Sequence, residues 1–120
     1  CGSDESSRPI DFSFGKSHPR GFGSFPEFFK IVSQNKGIGE AIRKMSYLPA
    51  KIFGIKNRGL LAEGYYADLV LLDSAKFASS SDLAFPHKPA SGVLKVWVNG
   101  NLSYSEGKVN PKRSGKFIPI

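Results

Sequence analysis

Val93-Leu94-Lys95-Val96-Trp97-Val98-Asn99-Gly100-Asn101-Leu102-Ser103-Tyr104 is the stretch on which the reading of this chain turns. β-Formers dominate its first six residues, which read as a strand. Asn99-Gly100 then supplies a dipeptide suited to a tight type I′ turn, so the chain is predicted to return through Leu102 to Tyr104 as a hairpin. A further turn at Glu106-Gly107 leads to a last extended piece around Val109.

Upstream, Ala67-Asp68-Leu69-Val70-Leu71-Leu72-Asp73 is a short apolar run bounded by acids and reads as another strand. Before it the period is helical. Ser24-Phe25-Pro26-Glu27 offers a capping hydroxyl, an early proline and a Glu three residues after the cap, predicting a helix over 24–35. Phe25, Phe28, Phe29 and Val32 form one apolar stripe along it, a face that must pack on something. A second helix is predicted after Lys36-Gly37, with Ile38, Ala41, Ile42 and Met45 on one face and its end near Tyr47, because Pro49 biases Leu48 away from helical geometry. A short helical turn over 50–53 should stop at Gly54. Residues 5–23 hold four Ser, three Gly and two Pro among few aliphatics, so they read as a long loop. Helices first and strands second is an α+β order, with a boundary near 56–59. Three or four such strands leave unpaired edges, and strands from a segment that precedes the chain are the expected partner.

A chain of 120 residues that is 40% hydrophobic fits one ordinary domain with a core of its own. It opens on Cys1-Gly2-Ser3-Asp4 without an initiating Met, which suggests excision from something longer. One Cys cannot close an internal disulfide, and no apolar run is long enough to cross a bilayer. No signal peptide is visible, and the compartment stays open with the cytoplasm favoured. The net charge of +7 invites a nucleic-acid partner, but the 17 basic residues are spread along the chain. Their one cluster, Lys108, Lys112, Arg113 and Lys116, lies in a Pro/Gly/Ser-containing tail, so neither nucleic acid nor membrane is the expected partner.

Two segments resemble a known superfamily. Residues 57–73, Asn57-Arg58-Gly59-Leu60-Leu61-Ala62-Glu63-Gly64-Tyr65-Tyr66-Ala67-Asp68-Leu69-Val70-Leu71-Leu72-Asp73, resemble the G-x-(I/L)-x-x-G-x-x-A-D-(L/I)-V-(L/V) stretch of amidohydrolases, where the chain leaves the catalytic barrel for a small β-sandwich. Val96-Trp97-Val98-Asn99-Gly100 resembles the V-x-V-N-G hairpin that follows. A narrower likeness lies upstream. Gly2-Ser3-Asp4, then His18-Pro19-Arg20-Gly21-Phe22-Gly23-Ser24-Phe25-Pro26, is similar to the G-S-D…H-P-R-x-(Y/W/F)-G-(T/S)-F-P pattern of N-acyl-D-amino-acid deacylases, the D-aminoacylases. Glu40-Ala41-Ile42-Arg43-Lys44-Met45-Ser46-Tyr47-Leu48-Pro49-Ala50 resembles that family's E-A-I-R-K-M-T-S-L-P-A segment. The likeness is weakest over 75–91.

The resemblance implies a fold and a chemistry. Residues 1–58 would be the C-terminal remnant of a (β/α)8 barrel, with its last strand end, an active-site loop and the last helices. Residues 59–120 would be antiparallel strands of a small β-sandwich with a tail. Asp4 would then lie at the catalytic end of the last barrel strand, as a metal ligand and as general base, then acid, for a metal-activated water cleaving the amide of an N-acyl-D-amino acid. Zinc, as one or two cations, is the implied metal. Arg20 would bind the substrate's α-carboxylate, a task that a planar guanidinium suits. His18 would orient the loop or touch substrate. Arg8 and Lys16 could compete with Arg20 for the carboxylate, and His87 reads as a surface residue between two strands. The family's other metal ligands have no counterpart here, so the isolated chain is expected to be inactive and to need the missing N-terminal part of the same protein. Two alternatives stay open: an amidohydrolase acting on a cyclic amide or another amino-acid derivative, and a non-catalytic assembly module.

Overall fold

The computed structural model describes residues 1–6, 9 and 11–119. Three helices, α1 (Arg20–Lys36), α2 (Ile38–Met45) and α3 (Tyr47–Ile52), precede four strands, β1 (Leu69–Leu72), β2 (Val93–Val98), β3 (Asn101–Ser105) and β4 (Lys108–Val109). The strands form one antiparallel meander in the order β1-β2-β3-β4.

The strand half follows its turn chemistry. Asn99 and Gly100 take φ of 48° and 79°, and Glu106 and Gly107 take 48° and 85°, so both hairpin turns place two successive residues in the left-handed region, as a type I′ turn requires. The first turn joins β2 to β3 and the second joins β3 to β4. Val70 pairs with Val96, Val96 with Tyr104, and Tyr104 with Val109, which draws one row of mostly apolar side chains across all four strands. The ends of that row are open to solvent, Val70 at 56% and Val109 at 68% exposure.

The helical half departs from expectation at its start. α1 begins four residues before Ser24, at Arg20, because Pro19 already has helical dihedrals (φ −59°, ψ −17°) and His18 Nδ1 accepts the Arg20 N–H at 3.1 Å. Ser24 is therefore an interior residue, and Pro26 lies inside the helix with no N–H to contribute to the ladder. Gly37, at φ 85°, ends α1 with its N–H on the Ser33 carbonyl, and α2 follows at once. The break after α2 falls at Ser46 rather than before Pro49. Pro49 is the third residue of α3, in a first turn where its missing N–H costs no intrahelical bond.

Packing is thin for a chain of this size. Among the described residues the buried hydrophobic core is Phe29, Ala41 and Ala50. The accessible surface is 8499 Å², whereas a folded monomer of this mass exposes about 6,400 Å². The excess of about 2,000 Å² is the scale of a large permanent interface. No helix among the described residues is long and apolar enough to cross a membrane.

One cation joins the two halves. Arg58 donates through Nη1 to Asp68 Oδ2 and through Nη2 to Asn99 Oδ1 at 2.6 Å, while its guanidinium lies 4.1 Å from the centre of the Tyr66 ring. Asp68 Oδ1 accepts the Asn99 N–H at 2.8 Å, and Asn99 Nδ2 donates to the Ser114 carbonyl at 2.7 Å. Arg58→Lys keeps the charge and loses the fork, so it is expected to cost about 2 kcal/mol in urea unfolding. Two glycines with the same φ of 79° offer a sharper contrast. A Cβ at Gly92 would sit 2.5 Å from the Phe77 nitrogen, whereas one at Gly100 meets nothing within 4 Å. Gly100→Ala should cost only the left-handed backbone penalty of about 1–2 kcal/mol, and Gly92→Ala more than about 3 kcal/mol. Equal losses in urea unfolding would show that residues 76–77 do not press on Gly92.

Candidate functional site

Asp4 and Arg20 are sixteen positions apart in sequence and meet in space. Arg20 Nη1 lies 3.3 Å from Asp4 Oδ2, and Arg20 Nε lies 3.8 Å from Glu5 Oε2. Arg20 opens α1, where a cation faces the positive end of the helix dipole, and α1 has no acid in its own first turn. Asp4 and Glu5 bring the negative charge from the preceding loop. Glu5 also packs against the first turn, since a Cβ at Gly21 would lie 2.9 Å from its Cγ. Asp4 itself takes a left-handed backbone, φ 51°, which an aspartate tolerates, and its side chain is 91% exposed.

His18 sits beside this pair and shapes the helix start. Because Nδ1 accepts the Arg20 N–H, the ring fixes the first turn from which the Arg20 side chain departs. A shallow depression of about 270 Å³ lies alongside, lined in part by His18, Arg20, Glu27, Ser79 and Ser81. Lys16 is not among its lining residues, and Arg8 lies outside the described residues. Among the described residues no three His, Cys, Asp or Glu side chains come together as a metal cluster. Asp4 offers one carboxylate donor, which fits a divalent cation chemically but does not close a site.

The expectation of a surface His87 is overturned. His87 is 5% exposed, and its neighbour Pro86 is among the most completely buried side chains. The imidazole lies between two phenylalanines, with Phe12 at 4.5 Å and Phe22 at 5.4 Å between ring centres, both stacked. Its Nε2 accepts the Ser17 backbone N–H at 3.1 Å and lies 2.9 Å from Ser17 Oγ. Nε2 is thus the unprotonated nitrogen, and Nδ1–H donates to the Asp11 carbonyl at 3.1 Å. The 73–92 connection between β1 and β2 therefore straps down the loop that ends at His18. Ser81 Oγ adds a bond to the Pro19 carbonyl at 3.0 Å, and Phe77 meets the Phe29 ring edge-on at 5.2 Å. Gly23 admits this approach, because a Cβ there would stand 2.7 Å from both Ser79 Oγ and Ser81 Oγ.

Carboxylates shape the turns on both sides of this contact. Asp82 accepts the Phe85 N–H at 2.7 Å, and that bond chiefly holds its carboxyl below the ordinary aspartate range. Asp11 is lowered as well, first by the Ser13 hydroxyl and then by the Ser13 amide. A carboxyl depressed in the folded state adds its stability above the ordinary aspartate range and loses it as the pH falls through the lowered value. The two turns thus keep these bonds at neutral pH.

Sequence reasoning singled out Asp4, Arg20 and His18, and the structure brings these three together. It missed Glu5, whose side chain is only 13% exposed beside Arg20, and the whole strap. For Glu5 the signal was its place next to Asp4. The burial of His87 left no trace in periodicity, beyond prolines at 86 and 89 that fix the backbone around it.

Comparison with known proteins bears on the chain as a whole. The chain is 33% identical over 104 residues to an N-acyl-D-aspartate deacylase of Alcaligenes xylosoxydans xylosoxydans, a match covering 84% of this chain and 21% of that protein. Its structure superposes on the crystal structure of a D-aminoacylase with a TM-score of 0.80 at 34% identity, covering 86% of this chain and 22% of the other. The N-acyl-D-glutamate deacylase of Bordetella bronchiseptica, solved with zinc and a phosphonate inhibitor, matches with a TM-score of 0.75 at 30% identity over 84% of this chain and 22% of its own. The chain spans about a fifth of the length of these relatives. Residues 32–103 match the model of the amidohydrolase family, a stretch that takes in the end of α1, all of α2 and α3, the Arg58 junction and most of the first hairpin, and the chain belongs to that family.

Proposed function

We propose that this chain is the C-terminal part of a metal-dependent hydrolase that cleaves the amide bond of N-acyl-D-amino acids. The observation that carries the reading is the meeting of Asp4 with Arg20 in a chain that is similar to D-aminoacylases over more than four fifths of its length. The pairing puts a carboxylate able to move a proton beside a guanidinium able to bind a carboxylate. An enzyme that hydrolyses an N-acyl amino acid has to do both.

On this reading residues 1–58 complete a (β/α)8 barrel and residues 59–120 form part of a β-sandwich. The remainder of the protein covers the apolar row between Val70 and Val109 and the open edge of β1. The surplus accessible surface supports this, because a missing neighbour of domain size would bury that much. One or two divalent cations, zinc first, held largely by ligands outside this chain with Asp4 as one donor, would acidify the attacking water and polarise the scissile carbonyl. Asp4 accepts the proton of that water at a carboxylate oxygen. It then returns the proton to the amide nitrogen as the carbon–nitrogen bond breaks, serving as base and acid in turn. Arg20 holds the α-carboxylate of the amino-acid half through paired hydrogen bonds, and His18 sets the turn from which Arg20 reaches.

Three results test this. The purified 120-residue chain is expected to show no deacylation with zinc present, and the longer polypeptide to show it; robust metal-dependent turnover by the short chain would end the claim. In the longer polypeptide, Asp4→Ala should lower kcat/KM by about a thousandfold. Arg20→Ala should raise KM about tenfold to a hundredfold with kcat changed far less. If the Arg20 variant kept its preference for substrates bearing a free α-carboxylate, the assignment of that arginine would fail.

A further inference from the structure

The strap over residues 73–92 touches the candidate site at two points that bracket His18. On one side His87 Nε2 holds the Ser17 amide, and on the other Ser81 Oγ holds the Pro19 carbonyl. His18 stands between these tethers and accepts the amide of Arg20. A continuous path of hydrogen bonds and peptide units thus runs from the sheet to the guanidinium. The His87 ring is also gripped by Phe12 from the loop and Phe22 from α1, and its Nδ1–H reaches back to the Asp11 carbonyl. The imidazole therefore ties both ends of the 11–17 loop to one rigid plane and to the first turns of α1.

We propose that His87 is a positioning residue for substrate binding: it clamps the 11–17 loop so that His18 and Arg20 are held where the guanidinium meets the substrate's α-carboxylate. This rests on the function proposed above. A neutral imidazole suits the task because it presents an acceptor to Ser17 and a donor to Asp11 from one flat ring that fits between two aromatic faces. Leucine fills similar space with neither polar atom. Glutamine presents an amide oxygen and an amide N–H spaced like the two ring nitrogens, and so restores the acceptor and the donor without the stacking.

The experiment uses the longer polypeptide and compares His87→Leu, His87→Gln and Ser81→Ala. His87→Leu is expected to raise KM for an N-acyl-D-amino acid about tenfold or more, with kcat within about threefold and the bound zinc per molecule unchanged, because the loss is one of placement. His87→Gln should recover most of that affinity. Ser81→Ala, which leaves the imidazole alone and cuts the second tether together with the Ser81 bond to the Ser79 hydroxyl, should raise KM about threefold. On the α-amide of the same substrate, which has no carboxylate for Arg20 to hold, the variants should differ little from the unsubstituted protein. Hydrogen exchange at the amides of residues 12–18 should quicken about tenfold or more in His87→Leu. Equal losses on acid and amide, a fall in kcat at constant KM, or unchanged KM in both His87→Leu and Ser81→Ala would overturn the inference. Absence of deacylation by the unsubstituted polypeptide would overturn the proposed function, whereas deacylation that is indifferent to residues 81 and 87 would overturn this inference alone.

Discussion

The guanidinium of Arg58 is the constraint on which the rest of the architecture depends. It leaves the helical half of the chain and reaches both the strand that opens the sheet, through Asp68, and the hairpin turn that fixes the sheet's register, through Asn99. With its side chain only 13% exposed, the charge needs partners on every side, and it has a carboxylate, an amide oxygen and the face of Tyr66. Asp68 answers both Arg58 and the Asn99 amide, so the junction closes as a ring of groups that satisfy one another. Such a ring has one good geometry, and the neighbouring Gly59 carbonyl, which accepts the Ser46 hydroxyl at 3.1 Å, carries it to the break between α2 and α3.

This ring also explains why so much of the fold was legible. The Ala67-Asp68 and Asn99-Gly100 pairs that resemble amidohydrolases are the residues that build the junction and its turn. The hairpins could be read because Asn99-Gly100 and Glu106-Gly107 carry local chemistry that specifies the turn whatever surrounds it. α1 resisted for the opposite reason. Ser24 through Glu27 have the composition of a helix start, yet the start is set by His18 on the Arg20 amide and by Ser81 on the Pro19 carbonyl, and the second of these partners is sixty-two positions away. Nothing local can announce a contact of that range.

The candidate site divides along the same line. No periodicity links Asp4 with Arg20; each was singled out only through the likeness of the Gly2-Ser3-Asp4 and His18-Pro19-Arg20 segments to a family pattern, and their ion pair is visible only in the structure. Residues 75–91, where that likeness is weakest, supply the strap that steadies the site. Their side chains alternate without rule between surface and interior, because a strap is shaped by what it crosses. His87 illustrates the point: a lone histidine among prolines reads as exposed, and only a loop folding over it from seventy positions away makes it buried.

A small core raises the question of what makes this arrangement singular. Phe29, Ala41 and Ala50 bury little apolar area, and hydrophobic association alone would tolerate many ways of leaning the sheet on the helices. Polar contacts with strict geometry remove that freedom. Arg58 ties the sheet to the segment that follows α3, whose Gly59 carbonyl accepts the Ser46 hydroxyl at 3.1 Å, and the strap, with His87, Ser81 and the close approach at Gly23, fixes the sheet's first connection to the beginning of the helices. Two locks at opposite ends of the helical half determine an orientation that one would leave free to pivot. The 11–17 loop and the helix bearing Arg20 both lie under the second lock, and Asp4 meets that arginine, so the placement of the candidate site follows from directional contacts made at long range. A site that must hold charges to within a fraction of an ångström is better served by such bonds than by apolar packing, which has no preferred direction.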